Sequence, residues 1–243
     1  MWSPGLEVSG VISAPSRARH GNALRAGVLG STDGLVSNLS LVMGVAGSGA
    51  PRETIIIAGL AGLVAGSLSM ALGEYLSVQS ARELFANELV IEERQLAESP
   101  DTEVAELRDI YERKGVPGPM ARDLAEHMVR SDPRLALDTM AREELGFDPD
   151  ELGGSAWVAA GTSLVLFALG ALVPVVPFLV IGAQPALVAA GLLSGIALFG
   201  LGAGITRLTG MDPIRSGLRQ LAFGATAAAI TYGIGVAVGR ALR

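Results

Sequence analysis

Asp33 lies inside the apolar stretch GVLGSTDGLVSNLSLVMGV, which covers residues 27–45. A carboxylate in the hydrocarbon of a bilayer is costly unless another group pairs with it or protonates it. An ionisable residue at such a position therefore indicates a functional site, either an ion ligand or a proton carrier. Ser37 follows one helical turn later on the same face and adds a second polar group.

A second set of polar and thioether side chains lies in the next apolar stretch. They follow the spacing i, i+3, i+7 and i+10, which places them on one helix face: Ser67, Met70, Glu74 and Ser77. Met70 falls within about one turn of the depth of Asp33, counted at about 1.5 Å per residue. A lone methionine more often serves packing, and Glu74 lies near the expected membrane surface, where a carboxylate costs little.

The elements that hold these residues are expected to be helices long enough to cross a bilayer. Half of the 243 residues are hydrophobic, and the mean hydropathy is +0.46. At about 1.5 Å per residue, each apolar block can cross about 30 Å of hydrocarbon. The sequence therefore predicts an all-α membrane protein with five transmembrane helices, formed by residues 24–46, 54–76, 156–181, 185–208 and 221–238.

An acidic hydrophilic insert separates the second and third of these helices. It holds 19 of the 24 Asp and Glu residues, between Arg82 and Leu152. Helix starts are indicated by Ser99 before Pro100 and by Pro133, and a helix end by Gly146. These signals predict a three- to four-helix domain whose first helix continues the second transmembrane helix.

Four regions follow from this division. They are a flexible tail (1–22), transmembrane helices 1 and 2 (23–80), the acidic insert (81–152) and transmembrane helices 3 to 5 (153–243). Glycine pairs spaced by four predict close helix contacts within the membrane. The pairs are Gly30/Gly34, Gly62/Gly66, Gly191/Gly195, Gly200/Gly204 and Gly235/Gly239.

Charge and composition predict the orientation and exclude some functions. The arginines favour a cytoplasmic N-terminus and insert, with the C-terminus on the opposite side. Abundant Ala, Gly and Arg, with Lys114 as the single lysine, predict a bacterial source and hence the plasma membrane. The absence of cysteine excludes thiolate metal sites, and the net charge of −6 argues against nucleic acid as a partner.

Four segments resemble the vacuolar iron transporter family of divalent metal–proton exchangers. They are LRAGVLGSTDGLVSNLSLVMGV, AGLAGLVAGSLSMALGEYLSVQSARE, ESPDTEVAEL and ALVPVVPF. The order of parts is also similar: two spans, an acidic insert and three spans. The resemblance implies a homodimer, a translocation path between the first two spans of each protomer, and an insert that binds metal.

The resemblance also implies particular ligands. Asp33 and Met70 match residues of the path, whereas Gly62 stands where plant members have a glutamate that Glu74 partly replaces. Gln95 and Ala141 stand where the family has a glutamate and a methionine. The matching ligands of the insert are Glu92, Glu103, Glu106, Met140 and Glu144.

The spacing of the acidic residues agrees with this assignment. Glu88 and Glu92 share a helix face at i, i+4, and this spacing adds Glu88 to the candidate metal ligands. Two further pairs also share a face: Glu103 and Glu106 at i, i+3, and Met140 and Glu144 at i, i+4. Carboxylates with thioethers suit Fe²⁺, with Mn²⁺, Co²⁺ or Zn²⁺ as competitors, better than Mg²⁺ or Ca²⁺. Acidic helices, however, usually present only a solvated face. His127 has no partner at a ligand spacing and is expected on the surface.

These observations predict a proton-coupled transporter that exports Fe²⁺, and Mn²⁺ with it, from the cytoplasm. The metal is cargo, and no permanently bound cofactor is expected. The alternative is a membrane-anchored metal buffer or sensor, in which the spans only hold the insert. Asp33 and Ser37 discriminate between the two, because an anchor has no reason to keep a carboxylate at the middle of the membrane. An enzyme is not expected, because the sequence shows no nucleophile–base pair, no Glu-x-x-His pattern and no phosphate loop.

Overall fold

The computed structural model describes residues 15–149 and 155–242, with the side chains of residues 15–26 and 208 left out. In these ranges every regular element is a helix. The helices are α1 (Pro15–Gly47), α2 (Arg52–Glu98), α3 (Pro100–Arg113), α4 (Gly118–Ser131), α5 (Pro133–Glu143), α6 (Ala156–Leu172), α7 (Val176–Val180), α8 (Ala183–Thr209) and α9 (Pro213–Ala241). The predicted all-α class is therefore confirmed.

The described residues fall into two compact units. The helical unit contains α3, α4, α5, the part of α2 that begins at Ser77 and the start of α1 up to His20. The apolar unit contains α6 to α9, the rest of α2 and α1 from Gly21 onward. The start of α1 at Pro15 differs from the predicted tail of residues 1–22, of which residues 1–14 lie outside the described part. Proline at a first helical position is favourable because its missing N–H has no partner there in any case.

Four helices of the apolar unit are long and apolar enough to cross a membrane. They are Gly27–Gly47 within α1, then α2, Ala183–Arg207 within α8, and α9. The predicted third span, residues 156–181, is not one continuous helix, because α6 ends at Leu172 and α7 starts only at Val176. Pro174 and Pro177 lack the N–H groups that a continuous helix needs. The count of five spans thus remains a prediction, with the 17-residue α6 as the shortest candidate.

Arg52, in the first turn of α2, binds backbone carbonyls of α7, just after the break that follows α6. The Arg52 side chain donates from Nε to the Phe178 carbonyl at 2.6 Å and from Nη2 to the Leu179 carbonyl at 3.0 Å. These carbonyls belong to the end of α7, where helix carbonyls lack partners from within the helix.

Several of the glycine pairs are helix contacts, as predicted. A Cβ added at Gly34 would stand 2.2 Å from the Phe167 carbonyl oxygen, and one at Gly235 would stand 2.0 Å from that of Gly44. The backbones of α1, α6 and α9 therefore approach at distances that exclude any side chain. Gly200 and Gly204 are different, because no described atom of the protomer lies within 4 Å of an added Cβ. For this pair, the described residues of the protomer do not show the predicted close helix contact.

The three helices of the insert begin and end near the predicted residues. Asp132 caps α5 by accepting from the Arg134 amide at 2.8 Å, and Gly146 follows α5 with a φ of 74°. Ser99 precedes α3, but its side chain makes no capping hydrogen bond. Buried side chains from α3, α4 and α5 form one core: Leu107, Tyr111, Ala121, Ala125 and Met140.

Candidate metal centre

Three carboxylates that are far apart in the sequence meet in the helical unit. They are Glu92 of α2, Glu103 of α3 and Glu144, which directly follows α5. One carboxylate oxygen from each lies within 4.8 Å of the others. Glu92 and Glu103 are each only 2% exposed, whereas Glu144 is exposed. We call these three residues the glutamate group.

Local structure explains how each member reaches this position. Ser99 alone separates the end of α2 at Glu98 from the start of α3 at Pro100, and its amide donates to the Gln95 carbonyl at 2.8 Å. Glu103 lies in the first turn of α3, where the positive end of the helix dipole favours an acidic side chain. Glu144 follows the last turn of α5, and its amide donates a hydrogen bond to the Met140 carbonyl at 2.8 Å. Met140 in turn is buried in the core of the helical unit.

Mutual repulsion and burial perturb the titration of the group. Burial and the neighbouring charges of Glu144 and Glu103 raise the pKa of Glu92 from 4.5 to about 7. Burial and the charge of Glu106 raise the pKa of Glu103, although a hydrogen bond with Glu92 lowers it in part. Burial, together with Glu106 and Glu103, also raises the pKa of Glu144.

The group lacks compensating positive charge from the part of the chain that the structure describes. In residues 15–149 and 155–242, none of the ion pairs includes a member of the group; Lys114, for example, pairs with Glu143 instead. Glu92 Oε1 and Glu103 Oε2 are buried and have no hydrogen-bond partner among the described residues. Buried acceptors of this kind are costly unless a cation or a proton satisfies them. The donor set of closely spaced carboxylate oxygens therefore fits a divalent cation.

The other predicted ligands of the insert lie in different surroundings. Glu106 is exposed, shares a hydrogen bond with Glu144 and acts on all three members by its charge. Glu88 is half-buried and does not belong to the group. Met140 is completely buried among Leu107 and its neighbours, so it has a packing role, and its assignment as a ligand remains a prediction.

The carboxylate of α1 lies on an exposed face of the apolar unit. Residues at i+4 spacing form an exposed line along α1: Leu29, Asp33, Ser37 and Leu41. The Ser37 hydroxyl donates to the Asp33 backbone carbonyl at 2.6 Å. The side chain of Asp33 has neither a hydrogen bond nor an ion pair within the described residues. In a bilayer this line would place a bare carboxylate against lipid.

The predicted partners of Asp33 are on α2. Met70 and Glu74 are both half-buried. Tyr75 packs against the exposed Trp157, with ring centroids 4.8 Å apart, as is typical of aromatic residues at a membrane surface. The position of Glu74 near the membrane surface remains a prediction. Among the residues described, neither Asp33 nor Glu74 belongs to a group of three close acidic or histidine side chains.

Asn38 is a buried polar residue of the apolar unit that the sequence reasoning missed. It is 2% exposed, and its Nδ2 donates to the Gly59 carbonyl of α2 at 3.1 Å and to the Ala171 carbonyl of α6 at 2.6 Å. The sequence feature that could have identified Asn38 is an amide side chain within an apolar stretch. An added Cβ at Gly62 would stand 2.7 Å from Asn38 Oδ1 and 2.5 Å from Leu41 Cδ2. A glutamate at position 62 would therefore require both side chains to move.

The raised pKa of Glu92 predicts how pH affects the metal-free protein. The folded unit holds a proton that the unfolded chain releases, so the free energy of unfolding falls as pH rises from about 4.5 to about 7. The loss is on the order of 3 kcal/mol for a shift of this size. Hydrogen exchange of α3 and α5 in chelator-treated full-length protein, corrected for intrinsic exchange, should show less protection at pH 8 than at pH 5. Glu92→Gln should remove most of this difference; equal wild-type protection at both pH values would contradict the prediction.

Comparison with known proteins finds that the chain is similar to vacuolar iron transporters. Vacuolar iron transporter 1 of Eucalyptus grandis is 33% identical over an alignment of 245 positions, which covers 97% of this chain and 96% of the relative. Vacuolar iron transporter 2 of Oryza sativa subsp. japonica is 33% identical over 221 residues, 90% and 88% of the two chains. The vacuolar iron transporter of Acanthamoeba castellanii is 36% identical over 224 residues, 87% and 77%. The VIT family matches residues 24–236, and with the apolar helices and the glutamate group this shows that the chain belongs to the VIT family.

Proposed function

We propose that this protein is a membrane transporter of divalent first-row metal ions, with Fe²⁺ as the main cargo and Mn²⁺, Co²⁺ and Zn²⁺ as competitors. The observation that carries the proposal is the glutamate group, in which buried carboxylate oxygens converge without a positive partner among the described residues. The relatives that are named iron transporters support iron as the cargo. Carboxylate ligands bind the ion weakly enough for exchange, which a transporter requires.

Asp33 supports transport rather than metal storage. An exposed carboxylate in an apolar line of α1 is unfavourable in lipid, and a buffer that is merely anchored in the membrane gains nothing from it. We assign Asp33 to the path of the ion, with Met70 and Glu74 on α2 as further ligands.

Coupling to protons follows from the same residue. A proton on Asp33 removes the charge that attracts the cation, so proton entry from the far side favours release of the metal there. With the N-terminus and the insert in the cytoplasm, this exchange exports metal.

The proposed location, a bacterial plasma membrane, rests on amino-acid composition alone. The relatives that the comparison names are vacuolar iron transporters of plants and an amoeba.

The proposed functional unit is a homodimer that covers the exposed line of α1. One protomer offers Asp33, Met70 and Glu74, fewer than the four to six ligands usual for such ions, and a twofold axis doubles them. Because the chain has no cysteine, Ser37→Cys creates a single thiol on this line. A short bis-maleimide should cross-link this variant to a dimer in liposomes. Val165→Cys, exposed on α6, is the matched control and should remain monomeric; a cross-linked control or an uncross-linked Ser37→Cys would count against this interface.

Transport itself is tested with purified protein in liposomes. Fe²⁺ and Mn²⁺ uptake should be faster when the lumen is acidic than when no pH difference exists, and metal entry should raise the luminal pH. A buffer or sensor would bind metal without uptake. Uptake that is independent of the pH gradient would leave transport standing but remove the proton coupling.

A further inference from the structure

An apolar groove lies between α1, α6 and α8 of the apolar unit. Its volume is about 530 Å³. Each of the three helices contributes hydrocarbon side chains, including Val28 and Leu35 of α1, Leu169 of α6, and Leu201 and Ile205 of α8. None of these residues belongs to the glutamate group or to the proposed path.

The groove offers water only one polar side chain, that of Ser31. The Ser31 hydroxyl donates to the Gly27 carbonyl at 2.8 Å, so only its oxygen remains to accept a hydrogen bond from water. An ordered water needs about two to four polar partners, so a groove lined in this way favours hydrocarbon over water. The chemistry of the lining thus fits an aliphatic chain.

The length of the groove fits one leaflet of a bilayer. It extends along α8 from Ala197 to Ile205, about 12 Å at 1.5 Å per residue. This approaches half of the roughly 30 Å hydrocarbon core. Gly200 and Gly204 line the groove, and no described atom of the protomer lies within 4 Å of a Cβ built on either.

Positive charge is present at the end of the groove where Ile205 lies. Arg207 is exposed and follows Gly204 by three residues, on the same face of α8. Within the described ranges no acidic side chain forms an ion pair with it. Arg215 and Arg219, exposed in the first turns of α9, add charge to the same loop region. Asp212, the acidic residue of this loop, accepts instead from the Arg215 amide at 2.7 Å.

We propose that the groove holds one acyl chain of an anionic membrane phospholipid, with its phosphate bound by Arg207. The apolar lining and the length of the groove favour an acyl chain. Arg207, which has no ion pair within the described residues, favours a negatively charged head group. The site shares no residue with the glutamate group or with the proposed metal path.

Native mass spectrometry of the delipidated full-length protein tests the site. The probes are phosphatidylglycerol and phosphatidylcholine with identical acyl chains. Wild-type protein should retain one phosphatidylglycerol per protomer. Gly204→Leu fills the groove without meeting another described atom at Cβ and should lose this lipid. Gly161→Leu, at another glycine whose added Cβ would meet no described atom within 4 Å, is the control and should retain this lipid.

The head group is tested by Arg207→Gln. This surface variant should lower the preference for phosphatidylglycerol over phosphatidylcholine about fivefold, because one arginine near a membrane surface contributes about 1 kcal/mol. Three results would overturn the proposal: undiminished lipid binding by Gly204→Leu, equal loss in Gly161→Leu, or an unchanged preference in Arg207→Gln. A change of oligomeric mass in Gly204→Leu would also overturn it, since a second copy would then occupy the groove.

Discussion

Asp33→Asn is expected to reduce pH-driven Fe²⁺ uptake to the level of protein-free liposomes. Asparagine keeps the size and polarity of the side chain but carries neither the negative charge nor a titratable proton. If Asp33 both binds the ion and exchanges it for a proton, both steps fail together. Asp33→Ala should have the same effect. The measurement is initial uptake with an acidic lumen, at equal amounts of reconstituted protein.

The same proteins should keep the metal affinity of the glutamate group. Asp33 belongs to the apolar unit, whereas Glu92, Glu103 and Glu144 belong to the helical unit. Calorimetric titration of full-length Asp33→Asn with Mn²⁺ should therefore give the wild-type Kd for that site. Ser37→Ala is the matched control, because it changes the neighbouring position of the exposed line and leaves the carboxylate intact. It should retain most of the flux.

A buffer or sensor predicts the opposite result for Asp33. Removing an unpaired acid from an apolar helix would then be harmless or slightly stabilising. Uptake near the wild-type rate by Asp33→Asn would therefore end the assignment of Asp33 to the path.

Local signals in the sequence predicted the helices of the insert well. Pro100, Pro133 and Gly146 act through their own backbone geometry, so the starts of α3 and α5 and the end of α5 needed no tertiary information. Pro174 and Pro177 are an equally local signal for the break after α6, but the prediction of one span over residues 156–181 rested on the length of the apolar block and did not use them.

Contacts between helices were harder to predict. Spacing within one helix paired Glu88 with Glu92 and Glu103 with Glu106, yet the glutamate group takes one member from each of three segments. Which face of α2 meets α3 depends on how the core around Leu107 and Met140 packs. The resemblance to a family supplied Glu92, Glu103 and Glu144 together, because it carries tertiary information that spacing does not.

Asn38 and the Gly200/Gly204 pair show the same limit within the membrane helices. The two carbonyls that Asn38 binds lie 21 and 133 residues away in the sequence. The spacing of Gly200 and Gly204 is that of a helix contact, but their Cβ positions are open. A small-residue pattern permits close approach without specifying which helix approaches.

Replacing both Glu92 and Glu103 with glutamine is expected to abolish metal binding at the glutamate group. These two carboxylates provide the buried oxygens of the group, and an amide supplies only one neutral oxygen in place of an anionic pair. Each single change should weaken binding by at least about tenfold, which corresponds to about 1.4 kcal/mol. Titration of the full-length protein with Mn²⁺ measures the Kd, and Glu98→Gln, exposed at the end of α2, is the matched control.

Stability provides a second readout that separates lost ligands from lost folding. In the metal-free protein at pH 8, the glutamine variants remove repulsion and the cost of a buried charge, so α3 and α5 should exchange hydrogen more slowly than in the wild type. Saturating Mn²⁺ should protect these helices in the wild type, because a ligand that binds only the folded state stabilises it, but should have no effect on the double variant. Full-strength Mn²⁺ binding by a double variant with wild-type helicity would show that the metal is held elsewhere.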